Sequence, residues 1–103
     1  MASQAPQPGD RVLNLAAPGG FFDKNLVLMY EGFYAGDKEY GILVKIPMSI
    51  YTLTVYGGSS GSPIMNISGD LISMVHSAYR GMGTVTRGPT WKVLKLFFEK
   101  HIK

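Results

Sequence analysis

The chain has 103 residues, of which 46% are hydrophobic and 17% are charged, and its formal net charge at pH 7 is +3. This composition is typical of one globular domain with a single core, and it excludes a disordered chain. No apolar run approaches the roughly 18 residues that a membrane-spanning helix requires, so we expect no membrane partner. The absence of cysteine excludes disulfides and thiolate metal sites.

The first half of the chain predicts a leader followed by strands. Residues 1–9 contain two prolines and little that a core could bury, so we expect an extended leader or linker ahead of one domain at 10–103. The partly alternating segment at 11–16 predicts the first strand. Two runs rich in β-forming residues follow, at 25–33 and 40–46. The polar, glycine-containing segment between them predicts the turn of an antiparallel hairpin.

The second half predicts a loop between further short strands. Pro47 ends the third strand, and a fourth run at 50–56 leads directly into the loop at 57–63. Three more strands are predicted, at 63–66, 70–77 and 84–87. Short strands at such close intervals, separated by glycine and proline, predict a small antiparallel barrel or sandwich, and closure into a barrel would remove the sheet edges.

The last part of the chain changes its hydrophobic period. Trp91, Leu94 and Phe98 recur at helical spacing, with lysines mostly between them. Thr90 follows a proline and is a suitable cap. We therefore predict a helix at about 90–102, and the predicted fold class is all-β: a small antiparallel β-barrel with a C-terminal α-helix.

The loop at 57–63, GGSSGSP, consists of residues that favour tight turns. Glycine permits positive φ, and such a turn can direct successive N–H groups at one point. Nucleophilic acyl transfer requires an exposed hydroxyl and two N–H donors for the developing oxyanion. Ser60 would supply the hydroxyl, and the N–H groups of Gly58 and Ser60 would form the oxyanion hole. The alternative is that Ser60 is an ordinary turn serine.

Residues 58–63, GSSGSP, resemble the nucleophile loop Gly-x-Ser-Gly-Gly/Ser-Pro of the chymotrypsin-like serine proteases. The segments that follow, GDLI at 69–72, VHSA at 75–78 and GMGTVT at 81–86, are similar to that family in order and rough spacing. The resemblance implies the C-terminal half of a double barrel, with Ser60 as the nucleophile. It also implies a substrate pocket shaped by four residues: Thr54, His76, Ser77 and Ala78.

The segment around His76 has a more specific resemblance. Val75-His76-Ser77 is similar to the chymotrypsin-like main proteases of plus-strand RNA viruses, notably the nidovirus group, in which a histidine binds a glutamate or glutamine side chain of the substrate. That group has a threonine five residues before the nucleophile, where this chain has Val55 and carries Thr54 one position away. HtrA-like proteases are the other candidate relatives. The competing interpretation of His76 is a buried histidine held by hydrogen bonds.

A serine nucleophile needs a base, usually a histidine oriented by a carboxylate. The two histidines are His76 and His101, and neither lies at the family's catalytic position; we expect His101 to be solvated at the helix end. In the family the histidine and aspartate come from the N-terminal barrel. Hydrolysis of a peptide or protein substrate would therefore need an N-terminal barrel, a second chain or a homodimer. The alternative is a catalytically inactive protease-like binding or structural module, of the kind found in viral particles.

The C-terminal region is basic, with six lysines and arginines against Glu99 alone in its last 24 residues. A nucleic-acid surface would have this character. A solvated helix face with cations near its C-terminal end explains it at least as well, so the sequence does not favour nucleic acid as a partner. We also predict no cofactor and no metal, because two distant histidines without cysteine form no zinc site.

Overall fold

The fold is described from a computed structural model, over residues 1–16, 28–53, 61–79 and 82–101. Its regular elements are seven strands and one helix in this part of the chain. They are β1 (Arg11–Ala16), β2 (Leu28–Tyr40), β3 (Ile46–Thr52), β4 (Pro63–Asn66), β5 (Leu71–Met74), β6 (Ser77–Tyr79), β7 (Met82–Pro89) and α1 (Trp91–His101).

All strand pairs are antiparallel, and the sheet order is β5-β4-β1-β2-β3-β7-β6. Only Val75 and His76 separate β5 from β6, so these two elements form one bent strand of a six-stranded barrel. The sheet closes into a barrel where β5 meets β7. At this point the Ser73 hydroxyl donates a hydrogen bond to Pro89 O at 2.6 Å. A Cβ at Gly88 would collide with the carbonyl oxygen of Met74, so this close approach requires glycine.

The core lies inside the barrel and is built from inward-facing residues of several strands. The rings of Tyr34 and Tyr51 pack against each other with centroids 5.6 Å apart. Among the described residues, the buried hydrophobic ones are Ala2, Val12, Tyr34, Tyr51, Leu53, Ile64, Ile72, Val75 and Leu94. The barrel and the helix confirm the predicted all-β class with a C-terminal α-helix.

Helix α1 begins as the sequence predicts. The Thr90 hydroxyl accepts a hydrogen bond from Val93 N–H at 3.2 Å, which satisfies one of the N–H groups that a helix start leaves open. Leu94 is buried against the barrel, whereas Leu96 and Phe97 on the outer side are more than half exposed. Among the described residues no helix has the length and apolar character needed to cross a membrane.

The predicted position of the hairpin turn was wrong. Residues 34–39 belong to β2, the turn lies at 41–45, and β3 takes the place of the predicted fourth strand with Pro47 inside it, opposite Glu39. Apart from the buried Tyr34, the polar segment forms a strand without becoming buried, so it shows no alternation of apolar residues. Pro47 is tolerated because β7 pairs with β3 only from Met48 onward, which leaves the outer side of Pro47 without a neighbouring strand.

The end of this hairpin forms a two-stranded arm, residues 38–47. Beyond Phe33, β2 has no pairing with β1, and the arm strands pair with each other in the described structure. Gly41 has a φ of +119°, and a Cβ there would collide with Val44 O, so the turn requires glycine. At its tip Ile42, Leu43 and Val44 are 95%, 96% and 74% exposed.

The first residues lie against the barrel in irregular conformation. Ala2 is buried, its N–H donates to Leu71 O at 2.8 Å, and its carbonyl accepts from Trp91 Nε1 at 3.1 Å. These contacts join the N-terminal segment to both β5 and α1. The division into a leader at 1–9 and a domain at 10–103 stays a prediction.

Candidate active site

Three of the predicted site residues, Thr54, Gly58 and Ser60, lie outside the described residues. The residue that precedes this segment is well anchored. Leu53 is completely buried, and its carbonyl oxygen accepts a hydrogen bond from the buried Thr86 hydroxyl at 2.6 Å. The entry to the loop is therefore bound to β7.

The exit of the loop is bound to the strand that carries His76. Gly61 has a φ of +85°, which favours glycine, and its N–H donates to Val75 O at 2.7 Å. Val75 N–H in turn donates to Ser62 O at 2.9 Å. These two bonds place the end of the GSSGSP segment beside the residue that precedes His76.

Asn14 braces the same exit from inside the barrel. Its side chain is completely buried, and its Nδ2 donates to Ser62 Oγ at 2.9 Å and to Pro63 O at 2.8 Å. A buried amide with two such bonds fixes the direction in which the chain enters β4. The role of Asn14 was not predicted from the sequence, where its signal is a polar residue at an inward position of β1, two residues after buried Val12.

Two of the predicted pocket residues, His76 and Ser77, lie together with their side chains in contact. His76 is exposed, so the interpretation of it as a buried histidine was wrong. Its Nδ1 lies 3.0 Å from Ser77 Oγ, and its backbone N–H donates to Arg87 O at 2.9 Å. Ala78 is described through its backbone, which pairs with Thr86.

Arg87 is a further residue of this region that the sequence analysis did not single out. It lies opposite Ser77 in the β6–β7 pair, and its Nε donates to Ser77 Oγ at 2.6 Å. Its guanidinium carbon lies 4.8 Å from the ring centroid of Tyr40, in the arm. The sequence could reveal this contact only through the strand register, which places Arg87 and Ser77 side by side.

The other histidine, His101, has the position expected of a solvated side chain at a helix end. It is exposed, and its ring centroid lies 4.7 Å from that of Phe97. Within the described ranges no group of three or more His, Cys, Asp or Glu side chains is arranged to hold a metal ion.

A second polar cluster joins β2 and β3. The hydroxyls of Tyr34 and Ser49 donate to Asp37 Oδ1 at 2.7 and 2.5 Å. Burial, followed by the hydrogen bond to Asp37 and the charge of that residue, raises the pKa of Tyr34 above its usual value. Burial raises the pKa of Tyr51 to about 12. Both hydroxyls are therefore neutral at physiological pH and cannot act there as bases.

Comparison with solved structures identifies the fold. Rv3671c from M. tuberculosis H37Rv, in an inactive mutant form, is similar with a TM-score of 0.81 over 97% of this chain and 51% of its own, at 16% identity. Its active form, described as a protease, has a TM-score of 0.79 over 97% of this chain and 46% of its own, at 18% identity. The fold is the half-barrel of a chymotrypsin-like protease.

A third structure has the same fold. The MamO protease domain from Magnetospirillum magneticum has a TM-score of 0.68 over 91% of this chain and 50% of its own, at 18% identity. The chain thus spans about half the length of the structures that it resembles. No protein-family model and no curated protein sequence matches it. The resemblance to nidovirus and HtrA-like proteases stays a prediction.

Proposed function

We propose that this chain is the nucleophile-bearing half of a chymotrypsin-like serine endopeptidase. Ser60 is the nucleophile, and the N–H groups of Gly58 and Ser60 form the oxyanion hole. Thr54, His76, Ser77 and Ala78 shape the pocket for a side chain of a peptide or protein substrate. His76 contacts an oxygen of that side chain, which is a glutamate or glutamine.

The observation that carries this proposal is the pairing between the loop exit and the pocket strand. Gly61 and Ser62 exchange hydrogen bonds with Val75 at 2.7 and 2.9 Å, so the segment that ends the nucleophile motif runs beside the segment that holds His76. A protease needs this proximity, because the attacking hydroxyl and the pocket must act on neighbouring parts of one substrate. The half-barrel fold supports the same proposal.

In the proposed reaction Ser60 Oγ attacks the scissile carbonyl carbon while a base accepts its proton. The carbonyl oxygen becomes negatively charged and is stabilised by the two N–H groups. The amine then leaves with a proton from the protonated base, and water hydrolyses the resulting ester on Ser60. Neither His76, which contacts Ser77, nor His101, which packs on Phe97, is assigned as the base for Ser60 of the same copy. We assign it to a partner half: an N-terminal barrel, a second chain or a second copy.

The test is covalent labelling of the purified chain with a fluorophosphonate, with the adduct located by intact and peptide mass measurements. Imidazole is added at increasing concentration as a small external base, because it can accept the proton that the absent partner would accept. We expect one adduct, on Ser60, formed at a rate that rises with imidazole. If two copies assemble the site, the rate rises with protein concentration instead.

Ser60→Ala and Ser59→Ala form a matched pair of variants in the same loop. We expect Ser60→Ala to abolish labelling and Ser59→Ala to retain it. Absence of any adduct across the imidazole series, or labelling spread over several serines, would overturn the proposal. That outcome would favour the alternative, an inactive protease-like binding or structural module.

A further inference from the structure

Arg87 makes two contacts with the strand carrying His76 and a third contact with Tyr40 in the arm. Its carbonyl oxygen accepts from His76 N–H at 2.9 Å, its Nε donates to Ser77 Oγ at 2.6 Å, and its guanidinium lies over the ring of Tyr40 at 4.8 Å. The planar guanidinium is held from two sides, by a hydroxyl and by an aromatic ring. Its orientation toward Ser77 is therefore well defined.

The direction of these hydrogen bonds follows from the chemistry of arginine. Its guanidinium stays protonated and can only donate, so Ser77 Oγ is the acceptor from Arg87. Among the described residues the other partner of Ser77 Oγ is His76 Nδ1, at 3.0 Å. The hydroxyl has one hydrogen of its own, and His76 Nδ1 is the acceptor within its reach.

The opposite arrangement is less favourable. If Nδ1 of His76 carried a hydrogen, it would use the second lone pair of the serine oxygen, which already accepts from Arg87 Nε. The hydroxyl hydrogen of Ser77 would then have no acceptor in the part of the chain that the structure describes. The contact pattern thus favours one of the two neutral forms of the imidazole.

We propose that Arg87 is a positioning residue for His76: by donating to Ser77 Oγ it directs the Ser77 hydroxyl hydrogen to His76 Nδ1, and so fixes the imidazole hydrogen on Nε2. This selection is a property of the half-barrel itself. It does not depend on the presence of the partner half or on the reactivity of Ser60.

A consequence for specificity rests on the proposed function. With its hydrogen on Nε2, His76 donates rather than accepts at that nitrogen. The complementary group of a substrate is an oxygen acceptor, a carboxamide or a carboxylate, and not an amine or a guanidinium. Arg87 would then determine specificity without touching the substrate, by holding the hydrogen of His76 on the side that donates.

The experiment measures the two imidazole nitrogens directly. The protein is labelled with ¹⁵N-histidine, and long-range ¹H–¹⁵N spectra are recorded at a pH high enough for imidazole to be neutral, about 8.5. The two histidines are assigned with a His101→Gln variant. We expect His76 to show a protonated Nε2 and an unprotonated Nδ1, with a larger shift difference than the solvated His101, which serves as the internal reference.

Two cations on the same tyrosine ring provide the matched control. Lys38 Nζ lies 5.6 Å from the centroid of the Tyr40 ring but has no bond to Ser77 among the described residues. Arg87→Met should reduce the shift difference of His76 toward that of His101, whereas Lys38→Met should leave it unchanged. Arg87→Lys retains the positive charge but lacks the Nε donor, so it should reduce the shift difference of His76 as Arg87→Met does. This second variant keeps the test valid if Arg87→Met does not fold.

Two results would overturn the proposal: a hydrogen on Nδ1 of His76 in the wild type, or an unchanged shift difference in both Arg87 variants. The proposed protease function is tested separately by labelling of Ser60. An inert Ser60 with a fixed Nε2–H tautomer would refute the protease and keep the role of Arg87. A reactive Ser60, together with a His76 shift difference that the Arg87 variants do not change, would support the protease and refute the role of Arg87.

Discussion

Tyr34 and Tyr51 face each other across β2 and β3, but their hydroxyls have different surroundings. The Tyr34 hydroxyl donates to Asp37 at 2.7 Å. The Tyr51 hydroxyl is buried and has no partner of hydrogen-bond geometry among the described residues. Ser49 and Ser73 nevertheless lie close enough to it to counteract part of the rise in its pKa. A hydrogen bond to a charged acceptor stabilises a fold, whereas an unsatisfied buried hydroxyl costs free energy.

We therefore expect Tyr34→Phe to lower the free energy of unfolding by about 1 kcal/mol, a value reduced for the exposure of Asp37. Tyr51→Phe should lower the free energy of unfolding by less than about 0.5 kcal/mol, or should raise it. Urea unfolding of both variants at neutral pH measures the difference. A greater loss in Tyr51→Phe than in Tyr34→Phe would mean that the Tyr51 hydroxyl is satisfied in the folded protein.

At the scale of residues, the sequence predicted His76 and Ser77 as two residues of one substrate pocket, and that pocket stays a prediction; the contact between their side chains was not predicted. The sequence did not predict the contact of Arg87 with Ser77, because this contact crosses from β6 to β7 and depends on the pairing of Ser77 with Arg87. The role of Asn14 at the loop exit was not predicted for a similar reason. Its role depends on which residues β4 brings beside β1, and a single strand pattern contains no such information.

The arm is the element whose structure differs most from the prediction made from its composition. Its tip is aliphatic yet exposed, at 95% for Ile42 and 96% for Leu43, and its polar flank forms a strand. The sequence predicted the turn in the polar segment, because polar residues with glycine commonly form turns. At its tip the ribbon projects from the barrel into water, so the residues there need no apolar alternation. Thr90, by contrast, caps α1 as predicted, since capping depends on neighbouring residues alone.

Because the arm tip buries so little, it should contribute almost nothing to folding. We expect simultaneous replacement of Ile42, Leu43 and Val44 by serine to change the free energy of unfolding by less than about 0.5 kcal/mol, as surface substitutions do. The control is Ile64→Ala in β4, a fully buried side chain, which should cost about 2–5 kcal/mol. Urea unfolding monitored by tryptophan fluorescence compares them. A loss in the triple variant similar to that of Ile64→Ala would show that the tip is covered in solution.

At the scale of the whole molecule, the sequence predicted the barrel and its helix correctly because both follow from repeated local signals. Short strands, glycine or proline between them and a change to helical period at Trp91 each point to the same fold. How the barrel closes was not predictable in this way. It depends on the approach of β5 to β7, where Gly88 admits the carbonyl of Met74 and Ser73 bonds to Pro89.

The buried tyrosines make the stability of this barrel sensitive to alkaline pH. A tyrosine ordinarily has a pKa of about 10, but burial raises the pKa of Tyr51 to about 12 and also raises that of Tyr34. Above pH 10 the unfolded chain therefore releases these two protons while the folded protein retains them. The free energy of unfolding should be unaffected by these two tyrosines below about pH 10 and should fall above it.

The expected slope above about pH 10 is a loss of about 1.4 kcal/mol per pH unit for each of the two tyrosines, until the folded protein also ionises. Urea unfolding between about pH 8.5 and about pH 11.5 measures it. Tyr51→Phe should remove about half of the slope, because phenylalanine has no proton to lose, and the remaining half belongs to Tyr34. An identical alkaline slope in wild type and Tyr51→Phe would contradict the raised pKa of Tyr51 and assign the loss of stability to other groups.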